Sequence, residues 1–133
     1  MTLSPRLFIS LFWSALVIAG LGAVFTPLSL LEGEPDAARG FFFTAVCGGF
    51  VGGVAVAGTR GVNSSAEASA ALRLAFYGWL TMPLLAAAPL VTAEGSLTVG
   101  LFEAYSAMTT SGAILTAPED LPRTLVLWRC VID

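Results

Sequence analysis

Hydrophobic and polar positions alternate along this chain on a scale of whole segments. Residues 7–31, 40–59 and 74–93 contain no charged side chain. Each run reaches the roughly 20 residues that carry a helix across a ~30 Å hydrocarbon core, so the pattern predicts three membrane spans. The first run exceeds the ~7 to 15 residues of a secretory signal and continues through Pro27, which makes it a span rather than a leader. Glu32-Gly33-Glu34-Pro35-Asp36 links spans one and two, and Thr59-Arg60-Gly61-Val62-Asn63-Ser64-Ser65, followed by Glu67 and Arg73, links spans two and three. Both links are polar and turn-rich and belong in solvent.

The pattern then changes. From an N-cap at Ser96 or Thr98, Leu101, Phe102, Tyr105 and Met108 recur at helical spacing and mark an apolar face. A helix there has only ~12 residues, about 18 Å, too short to cross a bilayer. Gly112, Pro118, Asp120 and Pro122 end it, after which residues 121–133 start another apolar run containing Trp128. The expected fold is all-α: polytopic transmembrane helices with a re-entrant half-helix and a loop that follows it.

Composition agrees with lipid as the solvent: 56% of the 133 residues are hydrophobic and 11% charged, with mean hydropathy +0.86. The chain has no histidine, which removes the usual general base and most zinc sites, so an enzyme is not expected. A net charge of −3 without a basic cluster excludes a nucleic-acid binder. Cys47 and Cys130 lack metal-ligand spacing and read as small buried hydrophobes. Gly48 with Gly52 and Gly49 with Gly53 form overlapping small-xxx-small pairs, read as close packing within the chain rather than as a dimer face. With the amino terminus inside, Arg6, Arg60 and Arg73 face the cytoplasm and Arg39, Arg123 and Arg129 the outside, a tie that leaves orientation open.

The chemistry gathers in Thr109-Thr110-Ser111-Gly112. Non-helical backbone at membrane depth needs partners other than lipid. The carboxyl end of a half-helix carries unpaired carbonyls and about half a negative charge, which favours a cation. Extended residues beyond that end can turn peptide oxygens and hydroxyls toward an axis and replace an ion's hydration shell, and Gly112 supplies backbone angles closed to other residues. Standing alone, the string also reads as a polar turn with a helix-ending glycine.

Phe102-Glu103-Ala104 with Ser106-Ala107, Thr109-Thr110-Ser111-Gly112-Ala113, Leu121-Pro122-Arg123 and Trp128-Arg129 together resemble the first pore repeat of the Trk/Ktr/HKT potassium transporters, most closely the bacterial TrkH type. The resemblance implies two preliminary transmembrane helices in residues 1–66 and, in residues 67–133, a first helix, pore-loop, helix repeat cut off in its last helix. It implies a metal site at Thr109, Thr110, Ser111, Gly112 and Ala113, with Gly112 at the glycine associated with potassium preference. Ser111 stands where threonine is commoner, and Cys130 where serine is. The family uses four such segments, so the chain reads as an amino-terminal piece of a longer protein. Its implied function is potassium uptake across a bacterial inner membrane, without a cofactor, the potassium ion being the substrate. The implied partners, besides potassium and membrane lipid, are a second copy in a homodimer and a cytosolic nucleotide-binding regulatory subunit.

Competing readings are a sodium-permeable or sodium-coupled relative, a non-transporting helical scaffold, and an intramembrane hydrolase using Ser106 or Ser111, which lacks a base. Glu103 and Arg129 either pair with each other or face an aqueous vestibule and the interface respectively. Glu94, Glu119 and Asp120 fall near the outer mouth, as solvated loop charge or as a concentrator of cations. Trp13, Trp79 and Trp128 are candidates for interfacial anchors, with interior packing as the alternative for Trp79.

Overall fold

A computed structural model describes residues 5–59 and 68–133, with side chains described over 12–57 and 76–133. The polar turn expected after Thr59, with Glu67 and the division at 66/67, lies outside the described residues, as do the side chains of Arg6 and Arg73. Six helices make up the described chain: α1 (Pro5–Leu31), α2 (Pro35–Thr59), α3 (Ala68–Ala86), α4 (Ala88–Glu94), α5 (Leu97–Met108) and α6 (Arg123–Ile132), with a 3₁₀ turn at Pro118–Asp120. Among the described residues there is no strand. Three helical segments are long and apolar enough to cross a membrane: Phe12–Leu31, Pro35–Ala57 and Phe76–Glu94. This is a membrane protein.

The first two spans form a tight hairpin, turned by Gly33 at φ +77°. They pack along their lengths because small residues let the backbones meet. A Cβ on Gly22 would sit 2.8 Å from the Phe41 carbonyl oxygen, and one on Gly48 3.0 Å from that of Ala15. Gly52 also faces α1, at Phe12, whereas Gly49 and Gly53 open onto nothing. Packing within the chain thus uses one of the two glycine pairs. Pro27 leaves α1 unbroken, since the helix runs on to Leu31.

The third span is interrupted. Ala87 lies between α3 and α4, and Pro89 follows in the first turn of α4. Proline has no N–H to give to the residue four before it, which leaves the Leu85 carbonyl without its helical donor. Thr44 Oγ1 on α2 supplies one instead, at 3.0 Å. The neighbouring Ala86 carbonyl accepts the Trp128 indole N–H from α6, also at 3.0 Å. Helix breaks survive in lipid when neighbouring side chains take over the freed backbone groups in this way.

Those two bonds place the core. Trp128 is fully buried and stands edge-on to Phe25 (5.4 Å between centroids, 71°) and to Phe41 (5.2 Å, 76°), with Leu90 and Leu125 alongside. It is therefore the centre of the core and not an interfacial anchor, while Trp13 and Trp79 are exposed, as interfacial or lipid-facing residues are. Cys47 and Cys130, expected to be buried, are both exposed, Cys130 at a cleft that Ser106 and Arg129 also line.

Candidate ion-binding site

Gly95, in the left-handed region at φ +65°, closes α4, and Ser96 opens α5 two residues before the alternative cap, Thr98. The Ser96 hydroxyl accepts from Val99 N at 3.4 Å. The helix then runs 12 residues to Met108, the length its pattern predicts. Its buried face differs from the expected one. Gly100, Glu103, Ala104, Ser106 and Ala107 turn inward, while Phe102 is exposed and Leu101, Tyr105 and Met108 are half-buried. Close approach to α4 decides this: a Cβ on Gly100 would fall 2.6 Å from the Val91 amide nitrogen, so only small side chains fit the crossing.

Glu103 is the exception on that face, a carboxylate with no exposed surface. One oxygen, Oε1, accepts the backbone N–H groups of Leu115 and Thr116, each at 2.9 Å. The other, Oε2, lies 2.5 Å from Arg129 Nη1 on α6. That contact is an ion pair without an aligned hydrogen bond, so Oε2 is held by charge alone. The Arg129 side chain is only 14% exposed and borders a cleft of about 210 Å³ that Ser106, Gly112 and Ile114 also line. Pairing, rather than separate solvation, is how these two charges are accommodated away from water.

Between α5 and α6 the chain turns back on itself. The N–H of Thr109 still reaches Tyr105 O (3.0 Å), but those of Thr110 and Ser111 bond Ala107 O (2.9 Å) and Ser106 O (3.1 Å), tightening and then widening the last turn. Thr110 has φ +51° and Gly112 φ +65°, with Ser111 between them outside the left-handed region. A β-branched residue at positive φ is a strained conformation, typically about 1–3 kcal/mol, and it persists only when surrounding contacts enforce it. A Cβ on Gly112 would meet nothing within 4 Å, so glycine is needed there for its backbone angles and not for space.

Three hydroxyls fasten the loop to the end of α5. Thr109 Oγ1 donates to Tyr105 O at 2.7 Å, Ser111 Oγ reaches Ser106 O at 3.2 Å, and Ser106 Oγ donates to Ala113 O at 2.6 Å. Among the described residues, the carbonyls of Thr109, Thr110, Ser111 and Gly112 accept no hydrogen bond, and all four residues are exposed. The Ala113 carbonyl, by contrast, is already engaged. The five residues expected at the metal site are thus contiguous and together, with four of their peptide oxygens unclaimed.

Two contacts hold the elements that flank this segment. Gly40, near the start of α2, leaves room for Pro89 and Thr92 of α4 where a side chain would collide. Glu34, in the link between α1 and α2, caps α6: Oε1 accepts Arg123 N at 2.8 Å, and Oε2 accepts Thr124 N at 3.3 Å and the Thr124 hydroxyl. Ser29 Oγ donates to Thr124 Oγ1 at 3.1 Å. Sequence reading assigned Glu34 to solvent, and its role 90 residues away has no local signal. Glu119 and Asp120 are exposed, whereas Glu94 is half-buried with Oε1 out of reach of any donor among the described residues. Those residues hold no cluster of three or more carboxylate, thiol or imidazole groups, so an ion at this site would rest on peptide and hydroxyl oxygens.

No family model, curated protein or solved structure matches this chain.

Proposed function

We propose that this chain forms one wall of a potassium pathway, supplying one of four filter segments to a TrkH-like uptake system of the bacterial cytoplasmic membrane. The observation that carries the reading is the run of unclaimed carbonyls from Thr109 to Gly112 at the carboxyl end of α5. Four consecutive peptide oxygens without donors are costly in lipid, and at membrane depth they need water or a cation as partner. Potassium sheds its hydration shell most readily where several weak, uncharged oxygens replace it together.

The half-helix adds to this. Its last carbonyls and macrodipole put partial negative charge beside the loop. The start of α6 is bound by Glu34, and α4, which leads into α5, packs on Gly40 near the start of α2; these contacts support reading the segment between α5 and α6 as a re-entrant hairpin. Glu103 and Arg129 pair, so the Arg129 guanidinium is not left as an uncompensated cation beside the loop. Thr110 and Gly112 at positive φ, with Ser111 between them, supply the alternation that lets neighbouring carbonyls share a side.

In this mechanism nothing is made or broken covalently. An ion arriving from the outer face exchanges water for carbonyl oxygens, is held loosely, and passes on when the next arrives. The test is growth: the full-length protein restores a potassium-uptake-deficient bacterium on limiting potassium, and replacing residues 109–113 by Gly-Ser repeats abolishes that rescue. Rescue that survives the replacement contradicts the reading.

A further inference from the structure

We propose that Ser106 sets the ion preference of this segment, acting as a positioning residue through Ala113 and Ser111; the proposal rests on the transport reading above. Ser106 sits in the last turn of α5, 4% exposed, and its hydroxyl and carbonyl together contact Thr109, Ser111 and Ala113 of the loop. Its one hydroxyl proton goes to Ala113 O at 2.6 Å, which leaves the oxygen facing Ser111 Oγ at 3.0 Å. Its own carbonyl takes Ser111 N at 3.1 Å and faces the hydroxyls of Ser111 at 3.2 Å and of Thr109 at 3.3 Å, the latter being the longer alternative to its bond with Tyr105 O.

The consequence is a closed ring. Thr109 is tied to the helix at one end of the loop and Ala113 at the other, with Thr110 to Gly112 held between two fixed points. The strained backbone angle at Thr110 persists because those ends are held together. Two cations that differ by fractions of an ångström in radius are told apart only if the oxygens facing them keep their number and spacing. Ser106 fixes both: it withdraws the Ala113 oxygen from the set open to the ion, and it holds the remaining four in their strained path. Removing the hydroxyl frees a fifth oxygen and lets the loop relax toward unstrained angles.

Ser106 touches no ion in this account, so its effect belongs to selectivity and not to ion binding as such. The full-length protein, reconstituted in liposomes, is assayed for potassium and sodium flux as wild type, Ser106→Ala, Ser106→Cys and Ser106→Thr. Ser106→Ala is expected to lower the potassium-to-sodium ratio by about tenfold, the scale of one lost hydrogen bond. Ser106→Cys, a weaker donor of similar shape, lowers it less, and Ser106→Thr, which keeps the hydroxyl, restores it. A ratio unchanged in both Ala and Cys variants, with total flux falling for both ions alike, overturns the assignment and leaves Ser106 a packing residue. If Ser106→Ala does not insert, the Cys variant decides by the same ratio. A wild-type protein that moves neither ion selectively overturns the transport reading and this proposal with it, an outcome distinct from selective wild type with indifferent variants.

Discussion

Glu103 on α5 and Arg129 on α6 meet at 2.5 Å beside the exposed loop, and the same carboxylate holds that loop by the N–H groups of Leu115 and Thr116. One side chain thus joins three pieces of chain. Removing either partner of a buried pair leaves the other charge uncompensated, at a cost of about 3–5 kcal/mol. Glu103→Gln and Arg129→Met should each lower the denaturation midpoint in detergent, and the double variant should recover part of the combined loss. Strictly additive losses would show that the two charges are not coupled.

Glu34 predicts an effect far from its own place in sequence. α6 has no capping side chain of its own, since Pro122 occupies its N-cap, and the Glu34 carboxylate takes the orphan N–H groups of Arg123 and Thr124. Glu34→Ala should destabilise by about 0.5–2 kcal/mol, the usual range for a lost cap. Hydrogen exchange at Arg123 and Thr124 should accelerate while that in the middle of α2 stays unchanged. Equal exchange in both proteins would remove Glu34 from the cap.

At the proline interruption, Trp128→Phe should keep most of the aromatic packing but leave the Ala86 carbonyl without the indole donor. The expected loss is about 1–3 kcal/mol, the cost of a buried acceptor left alone. Thr44→Val repeats the experiment at Leu85 O. Replacing Pro89 by Ala returns the N–H that Leu85 lacks, so Thr44→Val should cost less on that background. An identical cost in both backgrounds would mean that Thr44 does not substitute for the missing donor.

The glycines separate by neighbourhood. Gly40→Ala and Gly100→Ala drive a methyl into α4 and should each destabilise by about 1–3 kcal/mol, measured by thermal melting in detergent. Gly49→Ala and Gly53→Ala meet open space and should be neutral or slightly stabilising. The reverse ranking would contradict the packing of α4 between α2 and α5.

Much of this was legible in the chain itself. Uncharged runs located the three spans, and Ser96, the spacing to Met108 and the glycine and prolines beyond located α5 and the non-helical loop. Local chemistry produces those features, so a local reading finds them. The inward face of α5 was misread because large apolar residues normally mark the core, whereas here a tight crossing at Gly100 admits only small ones. The third span was expected to be continuous, and neither its interruption before Pro89 nor its repair by Thr44 and Trp128 was read, since both partners come from helices distant in sequence. Glu34 was lost for the same reason. In the loop, Gly112 declared its positive φ, while Thr110 concealed its own, because a β-branched residue signals the opposite preference.

The central claim is that backbone conformation at Thr110 to Gly112 holds peptide oxygens for potassium. Gly112→Ser changes that conformation without filling any occupied space, and its effect on the potassium-to-sodium flux ratio of the reconstituted full-length protein is the direct measurement. The account predicts a wild type that strongly prefers potassium and a variant whose preference collapses toward parity while sodium flux rises. A variant that keeps the wild-type ratio would contradict it.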